Sequence, residues 1–267
     1  MMDRPSSAVI DRQCVILAGG LGQRMRPLTE TVPKTLLTVN GRPFADYQLA
    51  WLARQGITDV VYSIAHFGSM VRDFVGDGSR WGLRVRYVDE GDTLLGTAGA
   101  LRLASDRDEL NEHFCVLYGD SYLRMDVREA WRAYELSGKP ALMTVLRNEG
   151  QWDVSNVDFR DGEQVFYDKR PGPHRDSMRY IDYGLSIVGR TAVEEKIPSG
   201  QKADLADFFH HLSARGDLAG FEVSDRFYEI GSPQGLADLE HFLNADVSGG
   251  LDVIFDELCP RNDCHIE

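Results

Sequence analysis

Residues 14–34 read CVILAGGLGQRMRPLTETVPK, and this stretch decides the fold. Cys14-Val15-Ile16-Leu17 is a short unbroken apolar run, as expected of a parallel strand buried on both faces. It passes directly into Ala18-Gly19-Gly20-Leu21-Gly22. Glycines after a strand let backbone approach a phosphate and aim amide N–H groups at it. Arg24, Arg26 and Lys34 add positive charge nearby. Three readings compete for this loop. A P-loop needs Gly-x-x-x-x-Gly-Lys-Ser/Thr, which is absent. A dinucleotide fingerprint needs a third glycine after Gly20-x-Gly22 and an acidic residue ending the second strand, and neither stands at the required place. The third reading is a nucleoside-triphosphate loop with a trailing arginine for the phosphates.

Outward from this loop, strand and helix patterns alternate. Residues 44–55 place Leu49, Leu52 and Ala53 on one helical face, with Gly56 as a stop signal. Strands are predicted at 59–65, 83–88, 114–118 and 141–146, and helices at 69–75, 98–104 and 127–137. This alternation predicts an α/β fold with a mostly parallel sheet. The pattern then changes. Residues 154–159, 164–167 and 181–188 read as strands, with Asp161-Gly162 as a turn between the first two. Helices return at 205–214 and 233–242. The chain therefore divides into a loose leader (1–13), a single domain (14–244) with a β-rich part at 150–190, and a C-terminal extension (245–267).

The chain has 267 residues, with 29 Lys+Arg against 42 Asp+Glu and a net charge of −13. So acidic a chain excludes a general binder of nucleic acid or anionic membranes, because its mean field repels phosphate. Residues 14–54 break that average, with five basic residues and two acidic ones. They form a small basic island suited to one anionic ligand. No apolar run approaches the ~20 residues of a membrane span, and residues 1–13 carry no secretory h-region. Cys14 and Cys115 fall in apolar strand-like runs, where a buried thiol is expected. Cys259, Cys264 and His265 offer one cysteine pair without a second, so no zinc site is predicted. These features place the protein in the cytoplasm. Trp51, Trp81 and Trp131 read as core packing, and the seven histidines share no metal-ligand spacing.

Several ordered motifs extend the loop. Pro33-Lys34-x-Leu36-Leu37-x-Val39-x-Gly41-x-Pro43 follows it. Then come Asp77-Gly78-Ser79-Arg80-Trp81-Gly82-Leu83, Leu95-Gly96-Thr97-Ala98-Gly99-Ala100-Leu101, Gly119-Asp120 and Tyr228-Glu229-Ile230-Gly231-Ser232-Pro233. Over about residues 14–243 the chain resembles the sugar-1-phosphate nucleotidyltransferases, or nucleotide-sugar pyrophosphorylases. It is similar to their short members: heptose-1-phosphate or mannose-1-phosphate guanylyltransferases and muramate-type uridylyltransferases.

The resemblance implies a three-layer α/β/α Rossmann-like nucleotidyltransferase fold with a mostly parallel mixed central sheet. It also implies an NDP-sugar product, made when a sugar 1-phosphate attacks the α-phosphorus of an NTP and pyrophosphate leaves. A phosphate dianion needs no general base, so the chemistry rests on positioning and charge neutralisation. Arg24 and Lys34 would face the triphosphate, and Leu17, Ala18, Gly19, Gly20 and Gly22 would cradle the nucleotide. Gly96, Thr97 and Gly99 would lie on the base side; read from the residues alone, Thr97 could instead cap its own helix. Asp120 and Glu229 would hold Mg²⁺, with Glu229 standing where the family usually carries Asp. Lys169 would meet the sugar phosphate. Gly119, Asp168, Asp182 and Gly184 would line the sugar side, Asp168 replacing a usual Glu and Asp182 a usual Asn. The base loop resembles that of guanylyl-transferring members, which implies GTP and a heptose or hexose 1-phosphate. The partners are then small molecules, with no nucleic acid and no membrane, and self-association is left open. The alternative is a non-catalytic nucleotide-sugar sensor of the same fold, which the Glu229 and Asp182 departures would permit.

Overall fold

The structure is a computed structural model and describes residues 12–160, 162 and 164–246. Nearly all of the expected leader and extension, with Cys259, Cys264, His265 and the turn residue Asp161, lie outside the described residues. The first half alternates as the sequence predicts. β1 (Arg12–Leu17) leads to a small hairpin of β2 (Thr38–Val39) and β3 (Arg42–Pro43), then α1 (Phe44–Arg54) and β4 (Ile57–Ile64). Next come α2 (Gly68–Val75), β5 (Arg84–Asp89), α3 (Gly96–Asp106), β6 (His113–Tyr118), β7 (Ser121–Tyr122), α4 (Val127–Ser137) and β8 (Ala141–Arg147). The second half runs β9 (Val157–Arg160), β10 (Gln164–Tyr167), β11 (Tyr180–Gly189), α5 (Arg190–Lys196) and α6 (Leu205–Ala214). It closes with β12 (Leu218–Val223), β13 (Tyr228–Glu229) and α7 (Pro233–Asp246).

Nine strands form one sheet in the order β5-β4-β1-β6-β11-β8-β12-β10-β9. The first four are mutually parallel, β12 is parallel to β8, and β11 runs opposite to both β6 and β8. Alternation along each strand feeds two cores. Cys14, Ile16, Tyr62, Cys115, Leu117 and Leu185 pack on one face beneath helices that include α1 and α4. Val15, Val61, Phe114, Val116 and Met143 pack on the other beneath α3, α5 and α6. Each face is too apolar to meet water and needs its helical layer. The result is the expected three-layer α/β/α sandwich, and Trp51, Trp81 and Trp131 lie buried in it. At the amino end of the parallel strands, buried Asp59 accepts hydrogen bonds from Gln13, Arg84 and Arg86 and ties β1, β4 and β5 together. At the carboxyl end the strands open into loops, where open α/β sheets place their ligands.

The strand expected at 154–159 begins only at Val157. Asn148 explains the delay. Its side chain donates to Asp153 O and Ser155 Oγ and accepts from Trp152 N, holding 148–155 as a loop. The elements that escape the sequence reading are α5, β12 and the two-residue strands β2, β3, β7 and β13. β12 is hidden because Gly220 interrupts its apolar run. The structure shows why glycine stands there: a Cβ would lie 2.4 Å from the Phe159 ring and 2.5 Å from Val165 Cγ2. Gly220→Ala should therefore cost about 1–3 kcal/mol through overpacking. The check is the urea midpoint at unchanged slope, and an unaltered midpoint would show that Phe159 gives way freely.

Candidate active site

The site forms where the loops after β1, β5 and β6 meet the β13–α7 turn. The strand end of β1 continues into the glycine loop. Ala18 N donates to Ser63 O on β4, and Gly119 N donates to Leu17 O, so β6 and its turn are held against β1. Gln48 on α1 is buried and donates from Nε2 to both Tyr118 O and Ser121 O. These bonds bracket Gly119-Asp120 and fix the turn that presents Asp120.

Asp120 gathers the expected polar residues. Lys34 Nζ donates to its Oδ2 at 2.6 Å. The β7–β13 pair sets Glu229 opposite Ser121, and Ile230 N donates to Asp120 O. Ser232 Oγ holds Glu229 Oε1 at 3.0 Å, leaving Oε2 3.9 Å from Arg24 Nη2. The Arg24 side chain is 72% exposed, so this loose ion pair leaves its guanidinium accessible to a phosphate. A Cβ placed on Gly231 would lie 2.5 Å from Glu229 Oε2 and 3.0 Å from both Arg24 Nη2 and Asp120 Oδ2. Two carboxylates and a guanidinium therefore converge on the space that glycine leaves free. Among the described residues no group of three or more His, Cys, Asp or Glu could hold a metal. Two carboxylates nevertheless fit Mg²⁺, which binds through one or two carboxylates and completes its shell with substrate phosphates and water.

Two cavities adjoin this point, and Lys34 lines both. One, of about 410 Å³, is lined by Gly22, Arg24 and Gly231 among others. The other, of about 280 Å³, is lined by Leu17, Gly19, Gly20, Gly96, Thr97 and Asp120 among others. Ala18 and Gly99 do not line them. Gly99 is needed behind the wall, where a Cβ would stand 2.8 Å from Gln201 O. Thr97 does not cap its own helix: α3 begins at Gly96, and Thr97 Oγ1 accepts from Leu205 N at the start of α6.

Glu90 is a site residue that the sequence reading missed. It follows β5, lines the smaller cavity, and accepts from Leu95 N at 2.8 Å and from Ser63 Oγ at 3.4 Å. Burial pushes its carboxyl above the usual carboxylate range, against the pull of the Leu95 N–H. The available signal was its place just past the carboxyl end of a parallel strand.

The sugar-side expectations separate. Asp182 sits near the site edge on β11. Its carboxylate accepts from Tyr118 Oη at 3.3 Å and from Gly184 N at 3.0 Å. Burial raises its carboxyl pKa, and the charge of Lys169 opposes that rise. Tyr118 lines the smaller cavity and bonds Asp182, which joins Asp182 to the cavity edge, within reach of the Lys169 charge. The nearly buried Asp168 carboxylate is engaged by Arg170, which donates to both oxygens at 2.8 Å, with His174 and His210 close by.

Comparison with known proteins matches this architecture. A family described as "Nucleotidyl transferase" matches residues 13–151. The chain is 38% identical to an N-acetylmuramate alpha-1-phosphate uridylyltransferase of Neisseria meningitidis, across 82% of this chain and 93% of that protein. It is 27% identical to a UTP–glucose-1-phosphate uridylyltransferase of a Synechocystis strain, across 76% of this chain but only 56% of the relative's length. The crystal structure of HddC from Yersinia pseudotuberculosis superposes with a TM-score of 0.71 at 22% identity, covering 87% of this chain and 99% of that one. Other relatives are named for guanylyl and thymidylyl transfer. The chain belongs to the nucleotidyl transferase family. No helix among the described residues is long and apolar enough to cross a membrane.

Proposed function

We propose that the protein is a Mg²⁺-dependent sugar-1-phosphate nucleotidyltransferase that releases pyrophosphate and forms an NDP-sugar. The observation that carries this reading is the convergence of Asp120, Glu229 and Arg24 on the Gly231 floor, with Lys34 bonded to Asp120. A sensor that only bound a nucleotide sugar would have no need of this pyrophosphate-handling set. The glycine loop holds the triphosphate through backbone N–H groups. Arg24 and Lys34 neutralise the charge that builds on the departing pyrophosphate. Lys169 holds the phosphate of the incoming sugar, and the smaller cavity takes the base. Bound Mg²⁺, held by Asp120 and Glu229, supplies further charge neutralisation at the phosphates. The ligands are small molecules, NTP and a heptose or hexose 1-phosphate, used in the cytoplasm.

Glu90 supports GTP as the nucleotide. Beyond the single bonds from Ser63 Oγ and Leu95 N, each Glu90 oxygen keeps a further lone pair, and guanine answers with N1–H and the 2-amino group. Uracil presents a single N–H there. UTP is the second reading, favoured by the 38% identical uridylyltransferase. The test incubates the protein and Mg²⁺ with each NTP and a panel of sugar 1-phosphates, then separates nucleotides by chromatography. An NDP-sugar with GTP preferred is expected. Binding of NTP without product from any pair would contradict the reading. Glu90→Gln should lower the GTP-over-UTP ratio of kcat/KM by about 10–100-fold, the worth of one bidentate base contact. An unchanged ratio would remove Glu90 from base selection.

A further inference from the structure

We propose that Asp168 is a positioning residue that fixes Lys169 through Arg170 and His210, and that it makes no contact with the sugar. This inference rests on the proposed role of Lys169. The bonds on either side of that lysine carry it. Asp168 Oδ1 accepts from the backbone N of Arg170 at 2.9 Å and from Arg170 Nε at 2.8 Å, while Oδ2 takes Arg170 Nη2 at 2.8 Å. A two-pronged guanidinium–carboxylate pair closed by a backbone bond is a rigid loop over residues 168–170. Lys169 is the residue inside it.

The loop is then tied to helix α6. His210 Nδ1 lies 2.8 Å from Tyr167 O, so this nitrogen carries the proton and donates. The other nitrogen, Nε2, is thereby an acceptor and faces Arg170 Nη2 at 2.5 Å. His174 Nε2 lies 3.3 Å from Asp168 Oδ2. From the far side, Arg175 donates to the carbonyls of Lys169 and Arg170. Asp168 N donates to Asn156 O, and Asn156 Oδ1 accepts from Asp182 N. The segment is thus joined to the Asp182 edge, where the Lys169 charge is felt.

Asp168 itself is unsuited to a sugar. Its side chain is 5% exposed and both oxygens are occupied. Its Arg170 partner keeps the carboxyl well below the usual carboxylate range, so it stays ionised and paired. His210, ordinary from sequence alone, belongs to this anchor.

The test is kinetic, with Arg170→Ala, His210→Ala and Asp168→Glu. Arg170→Ala should raise KM for the sugar 1-phosphate about 10–100-fold, the cost of a loosened reactive group. KM for the NTP should stay within about twofold, because the triphosphate groups are elsewhere. His210→Ala should shift the same constant in the same direction. Asp168→Glu should also lose sugar-phosphate affinity, since a longer side chain breaks the 168–170 loop. A direct sugar ligand predicts the reverse: Asp168→Glu active, with Arg170→Ala and His210→Ala like wild type. That pattern would overturn the proposal, as would equal rises in both KM values. Amide hydrogen exchange keeps the inference testable if the wild-type protein turns over nothing. Arg170→Ala must speed exchange across residues 167–175 without changing it in β5, and unchanged exchange would refute the anchor.

Discussion

Asp120→Asn is expected to lower kcat by about 10²–10³-fold, in line with loss of one preorganised electrostatic group. The substitution keeps size and shape. The turn is held by Gln48 on Tyr118 O and Ser121 O and by Ile230 N on Asp120 O, all independent of the carboxylate. The melting temperature should therefore move little. What changes is charge. Lys34 Nζ loses an ionised partner at 2.6 Å, and the pair that would hold Mg²⁺ keeps only Glu229. The Mg²⁺ concentration for half-maximal rate should rise with the loss of kcat. Wild-type rate and Mg²⁺ dependence in this variant would remove Asp120 from the chemistry.

Gly231→Ala should be nearly as damaging although it alters no functional group. The new methyl would stand 2.5 Å from Glu229 Oε2 and 3.0 Å from Arg24 Nη2 and Asp120 Oδ2. Distances that short force the charged groups apart. Arg24 is exposed and can swing away, but Glu229 is tethered by Ser232 at 3.0 Å. Displacement by about 1 Å at a reacting centre costs on the order of 100-fold in rate. Steady-state rate and the melting curve separate this from unfolding: kcat falls while the melting temperature stays close to wild type. Full activity would mean that the space above Gly231 is not the reaction site.

These effects were partly legible in the chain. The run Cys14–Leu17 and the glycines behind it are local features, and local period and turn chemistry survive folding. Asp120 and Lys34 could be singled out because each sits in a short motif. Contacts across long sequence separation were not legible. Gly220 made β12 look broken, and the Phe159 ring and Val165 packed above it explain the glycine. Glu90 showed no motif, and its importance comes from Gly19, Ser63 and Leu95 meeting around it. Asp168 reads as a sugar-side residue from its motif alone, and its neighbour His210 comes from α6, some forty residues away, which no local pattern shows.

If the convergent carboxylates and cations serve nucleotidyl transfer, pyrophosphate must leave as the bond forms. Its release is measured with purified protein, Mg²⁺, each NTP and each sugar 1-phosphate in turn. Release that requires both substrates, matches NDP-sugar mole for mole and nearly disappears in Asp120→Asn is the expected result. No release from any pair, or release that persists unchanged in Asp120→Asn, would contradict it.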